Sequence, residues 1–166
     1  MPAKPIMIEP QMPHSALPDA DWADCYELQV PASDVTAMTA ARAMLGHFPF
    51  WVRSLLRLRN ALTAVFGLRS TEYPVADAAE MIGFFPVVSK SDNQVVLGFD
   101  DKHLDFRVVV DTRDGEASRL VAVTTLVKRK ILLGKIYIFV ITPFHRLIVA
   151  TMLTNFGRRV SSSPSR

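Results

Sequence analysis

Residues Leu133–Arg159 read LGKIYIFVITPFHRLIVATMLTNFGRR and are almost entirely apolar. Residues 136–156 contain only three ionisable side chains: Tyr137, His145 and Arg146. Apolar residues fall on every side of a helical wheel, and a helix of this kind is either buried in a protein or placed in a bilayer. The segment predicts a long C-terminal helix, about 35 to 40 Å if continuous, held by a curved sheet.

A membrane-spanning helix is the alternative for this segment. Basic residues lie on both sides of it, so the charges give no preferred orientation in a membrane. Arg146 near its middle would cost about 3 kcal/mol in a spanning helix. Pro143 would kink the helix in either setting, because proline lacks the N–H group and crowds the preceding turn. We therefore favour a helix buried in protein.

The length of 166 residues suits one domain. Cys25 is the only cysteine, which excludes an intramolecular disulfide framework and a thiolate zinc cluster and favours a cytoplasmic location. The first eighteen residues contain five prolines and no apolar core of a signal peptide. We expect a flexible lead-in over residues 1–20, one domain over 21–159 and a flexible tail over 160–166.

Charge is strongly segregated along the chain. Residues 35–71 contain five arginines and no acid, residues 128–166 contain eight basic residues and no acid, and ten of the sixteen acids lie in 72–116. The predicted helices are therefore basic and the predicted sheet is acidic. This pattern indicates either opposite charges meeting across one fold, or a basic helical face for an anionic membrane or ligand.

The first half of the chain predicts one strand and a helix pair. Trp22–Val30 indicates a strand that ends at proline. Ser33 or Asp34 can cap a first helix, which stops at Gly46. Residues 49–67 predict an amphipathic, basic second helix, which we expect to pack on the core; an interfacial membrane helix is the alternative.

After Gly83 the apolar period changes from 3.6 to about 2. Turn residues separate four predicted antiparallel strands: Phe84–Ser89, Gln94–Phe99, His103–Val110 and Ser118–Val127. Residues 73–82 leave room for one shortened or irregular strand.

Two segments, VVLGFDDKHLDFRVVV and LGKIYIFVITPFHRLIVATML, resemble a bacterial family filed as domain of unknown function 2867. The resemblance covers about Phe48 to Arg158 and rests on three motifs: Arg57-Leu58-Arg59-Asn60, the Asp100–Arg107 hairpin, and Pro143-Phe144-His145-Arg146. It implies an α+β, helix-grip (START/Bet v 1-like) fold, with an antiparallel sheet wrapped on the C-terminal helix and a helix pair after the first strand. It implies no particular activity. Four strands after the helix pair are fewer than the six of a full helix-grip sheet.

The hairpin DDKHLDFR concentrates titratable side chains. If residues 103–110 form a strand, the alternation of side chains places four polar residues on one face: Asp101, His103, Asp105 and Arg107. They could contact a ligand or act as an acid–base pair, whereas the simpler interpretation is a polar outer face with cross-strand ion pairs. A metal site would need further ligands, so we predict neither a metal nor a cofactor.

His145 and Arg146 are the second candidates, because an unpaired charge within a buried helix costs several kcal/mol. We expect Arg146 to pair with Asp101 or Asp105. His145 is either a core histidine with its own partner, or turns toward a cavity as a ligand contact or acid–base group. The helix residues predicted to line that cavity beside it are Ile141, Ile148 and Met152.

Several chemical signatures are missing from the sequence, including a glycine-rich phosphate loop, a nucleophile elbow and an aromatic–basic stack for nucleic acid. We therefore expect no nucleic-acid partner and assign no catalytic residue. The favoured function is binding of a small hydrophobic or lipid-like molecule between the sheet and the C-terminal helix. The alternatives are a polyketide cyclase-like enzyme on the same fold, or a membrane-associated protein that uses its basic and apolar helices.

Overall fold

The computed structural model describes residues 4–31, 34–46, 80–100, 104–115 and 118–162. The predicted second helix over 49–67 lies outside these residues. The strands are β1 (Ile6–Ile8), β2 (Trp22–Pro31), β3 (Met81–Ile82), β4 (Phe85–Lys90), β5 (Gln94–Asp100), β6 (Leu104–Asp114) and β7 (Ser118–Arg129). The helices are α1 (Ala37–Leu45) and α2 (Leu132–Ser162).

The seven strands form one antiparallel sheet in the order β1-β2-β7-β6-β5-β4-β3. Strands β4 to β7 follow one another as hairpins, since each pairs with the next along the chain. Strand β2 precedes them in sequence but pairs with β7, in a register that runs from Trp22↔Val127 to Pro31↔Ser118. This long-range pairing brings the first half of the chain beside its last strand.

Both helices cover one face of the sheet, which we call the helix face. Helix α2 contacts β2 and β7, α1 contacts β5 and β6, and the two helices contact each other. Alternate residues of each strand point to this face, and those of β2 from Tyr26 to Val30 join the main core with Val149 and Leu153 of α2. The predicted α+β class, with an antiparallel sheet and a long C-terminal helix, is confirmed, and the arrangement is helix-grip-like.

The five predicted strands are all present, with ends that differ by a few residues, and β3 supplies the short strand anticipated in 73–82. The cap of α1 differs from the prediction. Its N-cap is Thr36, whose hydroxyl accepts a hydrogen bond from the Thr39 N–H at 3.1 Å. Threonine at this position satisfies one of the first free N–H groups of the helix. Of the two predicted caps, Asp34 lies before the helix and Ser33 lies outside the described residues.

The opposite face of the sheet, which we call the back face, carries a second core contributed partly by the N-terminal segment. Leu17 is buried there against Val96, Val109 and Leu126, with Ala16 and Ala20 at its sides. Upstream of it, β1 pairs with β2. The prediction of a flexible lead-in did not anticipate this strand or this contact, because both depend on partners that are distant in sequence.

Helix α2 is continuous over 31 residues, about 46 Å, with Pro143 inside it. Its last turn includes residues 160–162, the beginning of the predicted tail. Its buried residues lie on one side, toward the sheet: Gly134, Ile138, Val149, Leu153, Phe156 and Gly157. The helix is long and apolar enough to cross a membrane, yet only 17% of its most apolar 18-residue window is buried.

Candidate functional site

A buried carboxylate lies on the helix face, on the second strand from one edge of the sheet. Asp24 on β2 is only 4% exposed. Its neighbours two residues away on the same face are Trp22 and Tyr26. The alternation of the strand turns all three side chains toward α2. Burying a carboxylate costs several kcal/mol unless it is paired, so the environment of Asp24 requires an explanation.

His145 of α2 supplies part of that explanation. Its Nε2 lies 3.2 Å from Oδ1 of Asp24, and its side chain is 20% exposed. The ring of Trp22 meets the imidazole edge-on, with centroids 5.7 Å apart and planes at 74°. The imidazole is thus held between a carboxylate and an indole, at the place where the helix crosses β2.

Two further polar atoms beside this pair are buried without a hydrogen-bond partner among the described residues: Oδ2 of Asp24 and Oγ1 of Thr125. The two residues are register partners on β2 and β7. Most buried polar groups in proteins have a partner, so two free ones on adjacent strands are unusual. Together with His145 they form what we call the polar centre, which can accept and donate additional hydrogen bonds.

Tyr26 adjoins the polar centre on the same face. Burial raises the pKa of its hydroxyl, and the nearby Asp24 carboxylate raises it further. The phenol therefore remains a protonated hydrogen-bond donor at neutral pH, which is the form that complements a carboxylate.

The four α2 residues predicted to line a cavity do share one side of the helix. Ile141, His145, Ile148 and Met152 are all partly buried. Ile141 packs at the edge of a small cluster around Ile138, and Met152 packs against the main core. Their predicted contact with a ligand stays a prediction.

Aromatic side chains extend the helix face beyond the polar centre. Phe106 lies between Phe85 and Phe99, with ring centroids 5.5 and 5.6 Å apart. Phe99 pairs with Phe106, which pairs with Val127, which pairs with Trp22, so one row of apolar side chains crosses four strands. All four aromatic residues are only partly buried, which leaves apolar surface next to the polar centre.

The hairpin residues Asp105 and Arg107 are separated from this site. They alternate with Leu104, Phe106 and Val108 and therefore project from the back face. Asp105 pairs with Lys130 at 2.5 Å. The predicted candidates Asp101 and His103 lie outside the described residues.

Arg107 has a structural role in the hairpin. It pairs with Asp100 at 2.7 Å and donates to the carbonyls of Phe99 and Phe106. Its hydrogen bond lowers the pKa of the Asp100 carboxyl. Gly98, at φ 150°, makes room for the Arg107 side chain and the neighbouring backbone, since a Cβ there would be 3.0 Å from Cδ of Arg107 and 2.0 Å from the Phe106 carbonyl oxygen.

The predicted ion pair between Arg146 and Asp105 is wrong. Arg146 is exposed on α2, and Asp105 is occupied by Lys130. The partner that α2 finds in the sheet is instead Asp24, through His145. Asp24 was not among the predicted site residues, although its position between Trp22 and Tyr26 in a strand is a usable signal. Among the described residues, no group of three or more His, Cys, Asp or Glu side chains is arranged to hold a metal ion.

Comparison with known proteins identifies a family but assigns no activity. No curated protein and no solved structure matches the chain. The model of one family, described as protein of unknown function (DUF2867), matches residues 16–152, which include strands β2 to β7 and most of α2. The chain therefore belongs to the DUF2867 family.

Proposed function

We propose that the protein binds a small, mostly apolar molecule between the helix face of the sheet and α2. In this proposal the polar centre of Asp24, Thr125 and His145 holds the polar group of the ligand. The observation that carries it is Asp24, buried with one oxygen on His145 and the other without a partner among the described residues. An apolar residue there would serve stability better, so the carboxylate is best explained by function.

The chemistry of the polar centre restricts the ligand. A carboxylate oxygen accepts hydrogen bonds, so it favours a hydroxyl, amide or amine on the ligand. The partly buried side chains of Trp22 and Ile141, which pack in one apolar cluster, favour an apolar body. Few polar groups within mostly apolar walls are typical of small-molecule sites.

An enzyme is the second candidate, and one observation favours it. A carboxylate that holds one nitrogen of an imidazole leaves the other nitrogen available for proton transfer, and this is a common acid–base arrangement. Asp24 and His145 would then act on the bound molecule, as in the cyclase-like alternative. Binding and catalysis would share one site, so the same variants can be used to test both.

Native mass spectrometry of protein purified without detergent tests the proposal. The protein is incubated with a set of small apolar alcohols, amides and amines, and bound masses are recorded for the wild type, Asp24→Asn and Asp105→Asn. We expect bound ligand on the wild type and on Asp105→Asn, whose changed residue lies on the back face, and at least tenfold less on Asp24→Asn.

Two results would oppose the proposal: no bound mass on the wild type with any compound, or equal binding to Asp24→Asn. Recovery of a compound with an altered mass from the wild type, but not from Asp24→Asn, would support the enzyme instead.

A further inference from the structure

The outer side of α2 carries an exposed row of large apolar residues, which we call the apolar stripe. Their exposed fractions run from 48% to 82%. The stripe consists of Leu132, Ile136, Phe139, Val140, Phe144 and Leu147. The spacing follows the helical period, so these side chains form one face, opposite the residues that pack on the sheet.

The stripe is large for a soluble surface. Single exposed apolar residues are ordinary, but six large ones share one side of this helix, and large exposed apolar patches usually mark an interaction site. Phe139, at 82% exposed, is the most prominent of them. The stripe lies away from the polar centre, so it is independent of the proposed ligand site.

The length of the stripe decides how a membrane could use it. It covers residues 132–147, about 24 Å of helix, and the same side then continues with Thr151, Thr154 and Arg158. Crossing the hydrocarbon core takes about 20 apolar residues over about 30 Å. The opposite side of α2 is also packed on the sheet. These features suit a helix that lies in the membrane surface and not one that spans it.

The charges around the stripe favour an anionic partner. Lys135 and Arg146 are exposed beside it, and residues 128–166 contain eight basic residues and no acid. A second copy packed antiparallel on the stripe, centred near Val140, would place Lys135 opposite Arg146 of the other chain. Like charges repel in that arrangement, whereas anionic lipid headgroups attract both residues.

We infer that the apolar stripe of α2 docks on the surface of an anionic membrane, with its apolar side chains at the headgroup boundary and Lys135 and Arg146 on the lipid phosphates. Interfacial helices combine an apolar face with flanking basic residues in this way. The inference does not depend on the proposed ligand binding.

Sedimentation with lipid vesicles tests the inference. Vesicles of phosphatidylcholine alone are compared with vesicles that also contain phosphatidylglycerol. We expect binding mainly to the anionic vesicles, reduced by high salt.

Phe139→Ser combined with Leu147→Ser should lower the partition coefficient about tenfold or more. Lys135→Gln combined with Arg146→Gln should lower binding to the anionic vesicles but not to the vesicles of phosphatidylcholine alone. Val88→Ser, at a site on β4 whose exposed fraction of 53% is close to the 59% of Leu147, is the matched control and should bind as the wild type does.

Other occupants of the stripe give different results. A second copy would appear as a dimer in sedimentation without lipid, lost on Phe139→Ser, and would overturn the inference. A spanning helix would resist extraction by alkaline carbonate and would also overturn it. A large fall in the urea midpoint of the Phe139→Ser, Leu147→Ser variant would show that the stripe is covered within the protein, again contradicting membrane docking.

Discussion

His145 reaches from the middle of α2 to Asp24 on β2, and the 3.2 Å contact of its Nε2 with the carboxylate joins residues 121 positions apart. The contact connects the long helix to β2, the strand that pairs with β7. It is also the point where the requirements of stability and of the proposed function differ. A buried acid with a free oxygen is costly for the fold and useful for a ligand.

This contact predicts a strong coupling between the two residues. His145→Leu should cost about 3 kcal/mol or more, because it leaves a buried carboxylate without its partner. Asp24→Asn keeps the shape and removes the charge, so it should change stability by about 1 kcal/mol or less, and His145→Leu on that background should cost much less than alone. A double-mutant cycle in urea measures the coupling.

Additive effects of the two changes would show that the carboxylate has another compensating partner. Arg146→Leu is the control on the neighbouring residue. Because Arg146 is exposed, its substitution should change the unfolding free energy by about 0.5 kcal/mol or less.

The N-terminal segment gives a second prediction. It tests whether this segment packs on the sheet, as in the structure, or is flexible, as the sequence led us to expect. Leu17 is 7% exposed and packs on Val96, Val109 and Leu126. Leu17→Ala should therefore cost about 2 to 4 kcal/mol. Met12→Ala, at an exposed position of the same segment, should cost almost nothing. If Leu17→Ala has the same urea midpoint as the wild type, the contact of Leu17 with the back face contributes nothing to the stability of the fold.

The parts of the fold that sequence predicted are those with a long local pattern. Strands β4 to β7 run over six to twelve residues each and contain several β-branched residues, and β6 also alternates between apolar and polar side chains in its first half. Strand β1 has only three residues and β3 only two, so neither can show a period. They form because a neighbouring strand offers hydrogen bonds, which is tertiary information.

The site was less predictable for a related reason. Leu133–Arg159 is apolar on every side, so its sequence does not distinguish the side that packs on the sheet from the side that is exposed. His145 was found because a polar residue stands out in such a helix. Asp24 was missed because its burial depends on α2, far along the chain, and an acid in a strand is usually exposed.

The ion pair at the end of β7 predicts a dependence on pH. Oδ1 of Asp21 accepts hydrogen bonds from the Arg129 backbone N–H at 2.9 Å and from its Nε at 3.2 Å. Partial burial raises the pKa of Asp21, but these bonds to Arg129 outweigh it, and the pKa is lowered overall. A lowered pKa means that the ionised carboxylate stabilises the fold above the unfolded-state value of about 3.9, and that this contribution is lost as pH falls through the folded-state value.

Asp21→Asn should therefore lower the urea midpoint near neutral pH, and its difference from the wild type should shrink below about pH 4. Urea titrations across this range measure the difference. Arg129→Met should reduce the pH-dependent part without abolishing it, since the backbone N–H of residue 129 remains. A difference between wild type and Asp21→Asn that stays constant with pH would contradict the assignment.

A tight contact between α2 and the sheet at Gly157 gives the last prediction. A Cβ built on Gly157 would lie 2.8 Å from Cδ2 of Leu28, which is 1% exposed and has little room to move. Alanine favours a helix over glycine by about 1 kcal/mol, but overpacking a tight core costs about 1 to 3 kcal/mol. We expect Gly157→Ala to destabilise by about 1 kcal/mol and Gly157→Val by more, as measured by urea unfolding.

Shortening the opposing side chain should reverse the sign of this effect. Leu28→Val removes the methyl group that the new Cβ would meet, so on that background Gly157→Ala should stabilise by a few tenths to about 1 kcal/mol through helix propensity. If Gly157→Ala stabilises the wild type as well, α2 can move away from β2 at low cost. In that case the contact at Gly157 does not fix the distance between the helix and the sheet, and His145 with Asp24 would have to do so.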